Sequence, residues 1–244
     1  MIDYRQGIWQ GLCQAAARRI FQLLVDVATY RHVVDEDEPD GLERATQAMQ
    51  KHTRKAEERA LKDLLNIFSF TKVDVELQQL PVRDGRWELD VFSPAALKAF
   101  GLNAGSSALK GAAAGAGVDL MVGGLSFGTA TMIGAALGAG AATARRYRQE
   151  LKALWEGNKW ACVDDNTVAL IFLRQQGLLH KLTQRGHASQ DALTVQAEGE
   201  QATLPDGWSK LLAEIRQHPE WRGNPDDDKS LDNVRRQLVE WLLP

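Results

Sequence analysis

Apolar residues recur at helical spacing through the first quarter of the chain. In residues 1–34 the pairs Ile8/Leu12, Ala16/Ile20 and Leu23/Val27 each lie four apart, which predicts one helix whose apolar positions are spread around the cylinder. The run Asp35-Glu36-Asp37-Glu38-Pro39-Asp40-Gly41 ends it. Like charges repel and stay wet, proline lacks an amide donor, and glycine accepts a left-handed backbone. A second helix follows over 42–68, with Leu42, Ala45, Met49, Ala56, Ala60, Leu64 and Ile67 forming a stripe that is thin early and rich late. Its many charges, including the Glu58→Lys62 pair, mark a surface helix with a small apolar face.

From Lys72 the period changes to two. Val73, Val75 and Leu77 alternate with polar residues, and after Asp84-Gly85 the alternation resumes at Trp87, Leu89 and Val91. A β-hairpin over about 72–92 follows, turned at Asp84-Gly85. Ser93-Pro94 restarts a helix, with serine as cap and proline at the first helical position. Toward the C-terminus, Arg145–Trp155 reads as a basic amphipathic helix. Asp164/Asp165-Asn166-Thr167 cap a helix running to about 180–185, Leu204–Gly207 form a turn, Trp208–Gln217 a helix, and Ser230 caps a last helix to Leu243.

Between these parts lies a tract of a different kind: of the chain's 21 glycines, 11 fall between Gly101 and Gly140. Gly111/Gly115, Gly124/Gly128 and Gly134/Gly138 are spaced four apart, and Asp119 is the one ionisable residue between Gly111 and Ala144. Small residues at that spacing strip one helix face of side chains, so that a second backbone can approach closely. Each glycine costs a helix about 0.8–1.0 kcal/mol relative to alanine, so such helices need cover.

Two kinds of cover are open. One is a bilayer, entered as a span or as a hairpin turned at Gly123-Gly124, with Lys110 before it and Arg145, Arg146 and Arg148 after it facing anionic headgroups. The other is a soluble core of two close-packed small-residue helices. The reading of the whole is a mainly α protein: a helical bundle with a Gly/Ala-rich helical hairpin and one β-hairpin. Its parts are residues 1–100, 101–144 and 145–244, joined in one continuous unit.

Composition narrows the function. With 29 Lys+Arg against 32 Asp+Glu, the net charge of -3 gives no global positive field for nucleic acid. Two cysteines, Cys13 and Cys162, make neither a disulfide framework nor a four-thiolate zinc site, and Cys162 reads as a small buried hydrophobe. Met1 leads into Asp3 and Arg5 without an apolar run, which predicts no secretory signal and a cytoplasmic protein, peripheral to or partly inserted in the inner membrane. None of His32, His52, His180, His187 and His218 stands at metal-ligand spacing. The glycines match neither GxxxxGK[ST] nor GxGxxG, since Lys110 stands where the loop needs glycine. No catalytic residue, cofactor or metal is therefore expected. The tryptophans read mostly as core anchors.

Three segments carry a resemblance: the start YRQGIWQGLCQAAARRIFQLLVDVATYR, the block AEERALKDLLNIFSF, and LKGAAAGAGVDLMVGGLSFGTATMIGAALGAGAA. Together they resemble the bacterial DUF3482 family, a helical region found downstream of a small Ras-like, Era-like GTPase domain. The resemblance implies a responding module whose nucleotide switch lies in another domain, so the expected partner is a GTPase domain, in cis or in trans. This chain has no Walker A segment, and Asn158-Lys159-Trp160-Ala161 begins like the NKxD base-reading motif but ends in alanine. The function expected is a non-catalytic module attached to the cytoplasmic face of the membrane, with anionic lipids as further partners and homo-oligomers as an option. The alternative is a soluble adaptor that uses the exposed face of helix 42–68 and the acidic loop 35–40.

Overall fold

The computed structural model describes residues 2–34, 38–69, 82–83, 86–102, 120–122, 125–128, 160–185, 203–222 and 231–243. It is mainly helical. Two long N-terminal helices, α1 (Ile2–Thr29) and α2 (Gly41–Ile67), pack side by side. α3 (Pro94–Ala99) is short; α4 (Asp165–Arg185), α5 (Trp208–Gln217) and α6 (Asp232–Leu242) complete the described helices.

α1 occupies the centre. From Ala16 to Ala28 its buried residues include Ala16, Ala17, Ile20, Phe21, Leu23, Leu24, Val25 and Val27, which cover more than half of the cylinder, while Arg18, Arg19, Gln22 and Asp26 take the remaining arc. So wide a buried face needs several neighbours, and α1 touches α2, α4, α5 and α6. α4 is its counterpart, with every residue from Thr167 to Gln175 buried. Phe172 of α4 is fully buried, its ring 4.8 Å from that of Trp208. Trp160, Trp208 and Trp221 are all core residues, as their type predicts.

Two helix-start signals act where the sequence places them. Ser93 Oγ accepts from Ala96 N at 3.1 Å with Pro94 at the first helical position. Asp164 caps α4, accepting from Asn166 N at 2.9 Å and Thr167 N at 3.1 Å. α3 ends at Gly101 with φ 68: Leu102 N bonds Leu97 O at 2.9 Å and Gly101 N bonds Lys98 O at 3.0 Å, the crossed pair of bonds that a left-handed residue closes. The first glycine of the rich tract is thus a helix stop.

Strands appear in three places before residue 130. Residues 31–33, expected as the end of the first helix, form β1 (Arg31–Val33). The hairpin at Asp84-Gly85 is present as β2 (Val82–Arg83) and β3 (Arg86–Trp87), with Arg83 opposite Arg86. The second strand is shorter than the alternation predicts, because residues 88–90 leave the ladder, and residues 70–81, expected in the first, lie outside the described residues.

The third place is the glycine tract. Here β4 (Leu120–Val122) and β5 (Leu125–Gly128) pair antiparallel with Val122 opposite Leu125, leaving Gly123-Gly124 between them. The two strands lie on either side of Gly123-Gly124, where the hairpin was expected to turn, but they are extended rather than helical. Gly128, expected to share a bare helix face with Gly124, ends a strand opposite Trp160. A Gly-Gly pair between short runs of Leu, Val and Phe fits a two-residue β turn, and β6 holds β5 extended by pairing along its other edge.

β6 (Trp160–Val163) joins these elements, and the sheet order is β1-β6-β5-β4, antiparallel throughout. One sheet therefore takes strands from the N-terminal part, the glycine tract and the C-terminal part. The core likewise combines residues of α1, α2, α4, α5 and α6.

Candidate functional site

The residues singled out in the glycine tract are mostly outside the described residues: Gly111, Gly115, Gly124, Gly134, Gly138, Asp119, Lys110, Arg145, Arg146 and Arg148. Of that set the structure places Gly128 alone, in β5. The surface with the most developed chemistry lies elsewhere, on α2.

α2 buries one stripe (Ala45, Met49, Thr53, Ala56, Glu57, Ala60, Leu61, Leu64) along its whole length, so its thin first half also packs inward. The adjoining face, carrying Lys51, Arg54, Lys55 and Glu58, meets the segment Arg86–Val91. Between them runs a groove of about 410 Å³, lined also by Glu57, Trp87, Leu89, Asp90 and Val91.

Glu57 and Arg174 anchor its floor. Arg174 Nη1 donates to Glu57 Oε1 at 3.1 Å, with only 2% and 6% of the two side chains exposed. Arg174 Nη2 donates to Leu89 O at 2.7 Å, and the guanidinium lies 5.2 Å from the centre of the Trp87 ring. One arginine thus ties α4 to α2 and to the chain wall beyond β3. Burial pushes the Glu57 carboxyl above the usual range, and the charge and hydrogen bond of Arg174 oppose this without cancelling it. Arg174 Nε and Trp87 Nε1 are buried without a hydrogen-bond partner among the described residues.

The wall is held by Arg54 and Asp90. Arg54 donates twice, from Nε to Oδ2 at 2.6 Å and from Nη2 to Oδ1 at 3.1 Å, and packs 5.2 Å from the centre of the Phe92 ring. Asp90 Oδ1 also accepts from Phe92 N at 3.0 Å. Burial alone would raise the Asp90 carboxyl, but the hydrogen bonds from Arg54 and Phe92 and the charges of Arg54 and Arg174 hold it below the usual range. Glu58 is held at 2.8 Å by Lys62 and lies 3.5 Å from Arg86.

Each carboxylate of the groove therefore has a cationic partner. Lys51, Lys55 and Arg86 remain exposed at the rim, and no ion pair engages Lys51 or Lys55 among the described residues. Leu89, 43% exposed, adds an apolar step. The arrangement is a donor-rich, positively rimmed trough with no free carboxylate to serve as a base.

Sequence reasoning missed the Glu57–Arg174 pair. Its signal was there: Glu57 follows Thr53 by four in the buried stripe of α2, and Arg174 interrupts the apolar run Val168–Leu173. A charge inside an apolar stripe calls for a buried partner, but neither residue names which.

A second polar cluster lies at the sheet. Arg216 donates to Val163 O at 2.6 Å and pairs with Asp165 at 2.7 Å; its Nη1 is 3.8 Å from Cys162 Sγ. Cys162 is half-buried rather than enclosed. No group of three or more His, Cys, Asp or Glu suited to a metal occurs among the described residues, and no described helix is long and apolar enough to cross a membrane.

No curated protein and no solved structure matches the chain. The family described as "Domain of unknown function (DUF3482)" matches residues 1–243, and the chain belongs to that family.

Proposed function

We propose that this chain is a non-catalytic helical adaptor, docking a partner protein through the α2 groove. The observation that carries it is the division of charge there: the carboxylates of Glu57, Glu58 and Asp90 are all engaged by cations, whereas Lys51 and Lys55 project unspent. Such a surface attracts and orients a partner but offers no general base. The partner the family resemblance points to is a GTPase domain, in cis or in trans, whose nucleotide state the module would read. Attachment to anionic lipid through Lys110, Arg145, Arg146 and Arg148 would use residues outside those described.

Calorimetric titration of the chain with a separately produced Ras-like GTPase domain from a family protein that carries one tests this reading. Binding that depends on the bound nucleotide, and that Leu89→Asp weakens, is expected. Absence of binding in both nucleotide states, or recovery of the chain only with anionic vesicles in flotation, overturns it.

A further inference from the structure

Resting on the docking reading, we propose that the groove's occupant is an acidic polypeptide segment. Its carboxylates lie against Lys51, Lys55 and Arg86, and one of its apolar side chains lies on Leu89.

The charges lead to this ligand. Arg54 is spent on Asp90 at 2.6 Å, and Arg174 on Glu57 at 3.1 Å and on Leu89 O at 2.7 Å, so neither is open to an incoming anion. Arg86 is 73% exposed and reaches Glu58 only at 3.5 Å, a loose contact that Glu58 already shares with Lys62. Lys51 and Lys55 stand one helical turn apart on the exposed side of α2. Residues four apart on a helix have Cβ atoms about 5–6 Å apart. Side chains two apart in an extended strand are separated by about 6.6–6.8 Å, so alternate carboxylates of an extended acidic segment meet the two ammonium groups without bending.

Other ligand classes fit worse. A small-molecule pocket is enclosed and mostly apolar, whereas this trough is edged by charges. A nucleic-acid backbone would run along Glu58 and Asp90 as well as the lysines, on a chain of net charge -3. A peptide with spaced acids and an apolar residue satisfies both the lysines and Leu89.

The test uses the full chain and a fluorescein-labelled peptide of alternating Glu and Leu, read by anisotropy. Expected is saturable binding that weakens as salt rises from about 0.05 to about 0.5 M, because exposed charges are screened. Lys51→Glu with Lys55→Glu should weaken it about tenfold or more, while Lys51→Arg with Lys55→Arg, and Lys210→Glu on α5 outside the groove lining, leave it within about twofold. A matching Lys/Leu peptide should not bind.

Unchanged affinity in the doubly reversed variant with its helical circular dichroism intact, or no binding at low salt, overturns the proposal. So does equal displacement of the peptide by inorganic phosphate or phosphatidylglycerol vesicles, which would make the site a general anion site. If the peptide fails but a GTPase domain still binds in a Leu89-dependent way, the acidic occupant falls and the docking reading stands. If both fail, the docking reading falls too.

Discussion

Arg174 Nη1 and Glu57 Oε1 meet at 3.1 Å across 117 residues of sequence, in a setting that exposes almost none of either side chain. The pair joins α4 to α2 and, through Arg174 Nη2 and Leu89 O, fixes the wall of the groove. Removing one member leaves a buried charge without its counterion, at a cost of about 3–5 kcal/mol. Arg174→Met is therefore expected to lower unfolding free energy by about that amount in urea titration. Adding Glu57→Leu should recover much of the loss, because two apolar residues leave no stranded charge. A double variant as unstable as the sum of the singles would show that the two residues do not act together.

Asp164 is a helix cap under strain of a specific kind. Burial raises its carboxyl above the usual range, against hydrogen bonds from Thr167 and Asn166 and the charge of Arg216. Asp164→Ala should cost about 1–2 kcal/mol, the usual worth of a cap. Asp164→Asn keeps the acceptor without the charge and should cost far less. A raised carboxyl contributes stability that is complete below its unfolded value near pH ~4 and is lost as pH rises through the folded value. Chemical denaturation of wild type and Asp164→Asn at a series of pH values should therefore show the Asn variant gaining ground toward neutral pH.

Asp90 behaves in the opposite sense. Its carboxyl is held low, so its contribution is present above the unfolded value near pH ~4 and disappears as pH falls through the folded one. The Arg54–Asp90 bridge is over two-fifths exposed on each side, which limits its worth to less than about 1 kcal/mol. Asp90→Asn should be slightly less stable than wild type at pH 7 and equal to it in strong acid. A difference that persists in acid would place the effect in packing instead.

β5 lies between β4 and β6 and so has a ladder on both edges. Amides of Leu125–Gly128 should exchange more slowly than those of β4, which has one described neighbour, because a doubly paired strand opens only with the sheet. Cross-strand nuclear Overhauser contacts between Phe127 and Ala161 should accompany that protection, following the register. Helical i,i+3 contacts through 120–128 would overturn the strand assignment.

Much of the fold is legible locally. Ser93-Pro94, Asp164 and the Trp208–Gln217 helix act through signals a few residues long, and the structure has them where those signals stand. Gly207, with φ 85, sits at the turn that Pro205-Asp206-Gly207 announces. The stripe of α2 is of the same kind, and so are the strand pairs on either side of Asp84-Gly85 and of Gly123-Gly124, since a period or a two-residue connection needs no distant partner. At Leu120–Val122 and Leu125–Gly128 the spacing misled for a related reason: a period of four describes a helix only if the backbone is one, and there the pairing of β4 with β5 and of β5 with β6 decides otherwise.

What the sequence by itself determined is therefore the mainly α character, most helix limits and caps, and the hairpin turns, all products of nearest-neighbour sterics and hydrogen bonding. Tertiary structure alone decided that residues 31–33, 120–122, 125–128 and 160–163 share a sheet, that the wide apolar face of α1 is covered by four other helices, and that Glu57 answers Arg174. Those outcomes depend on which distant surfaces exclude water together. A buried charge or an extended segment states its need for a partner in the sequence; only the packed chain supplies the partner.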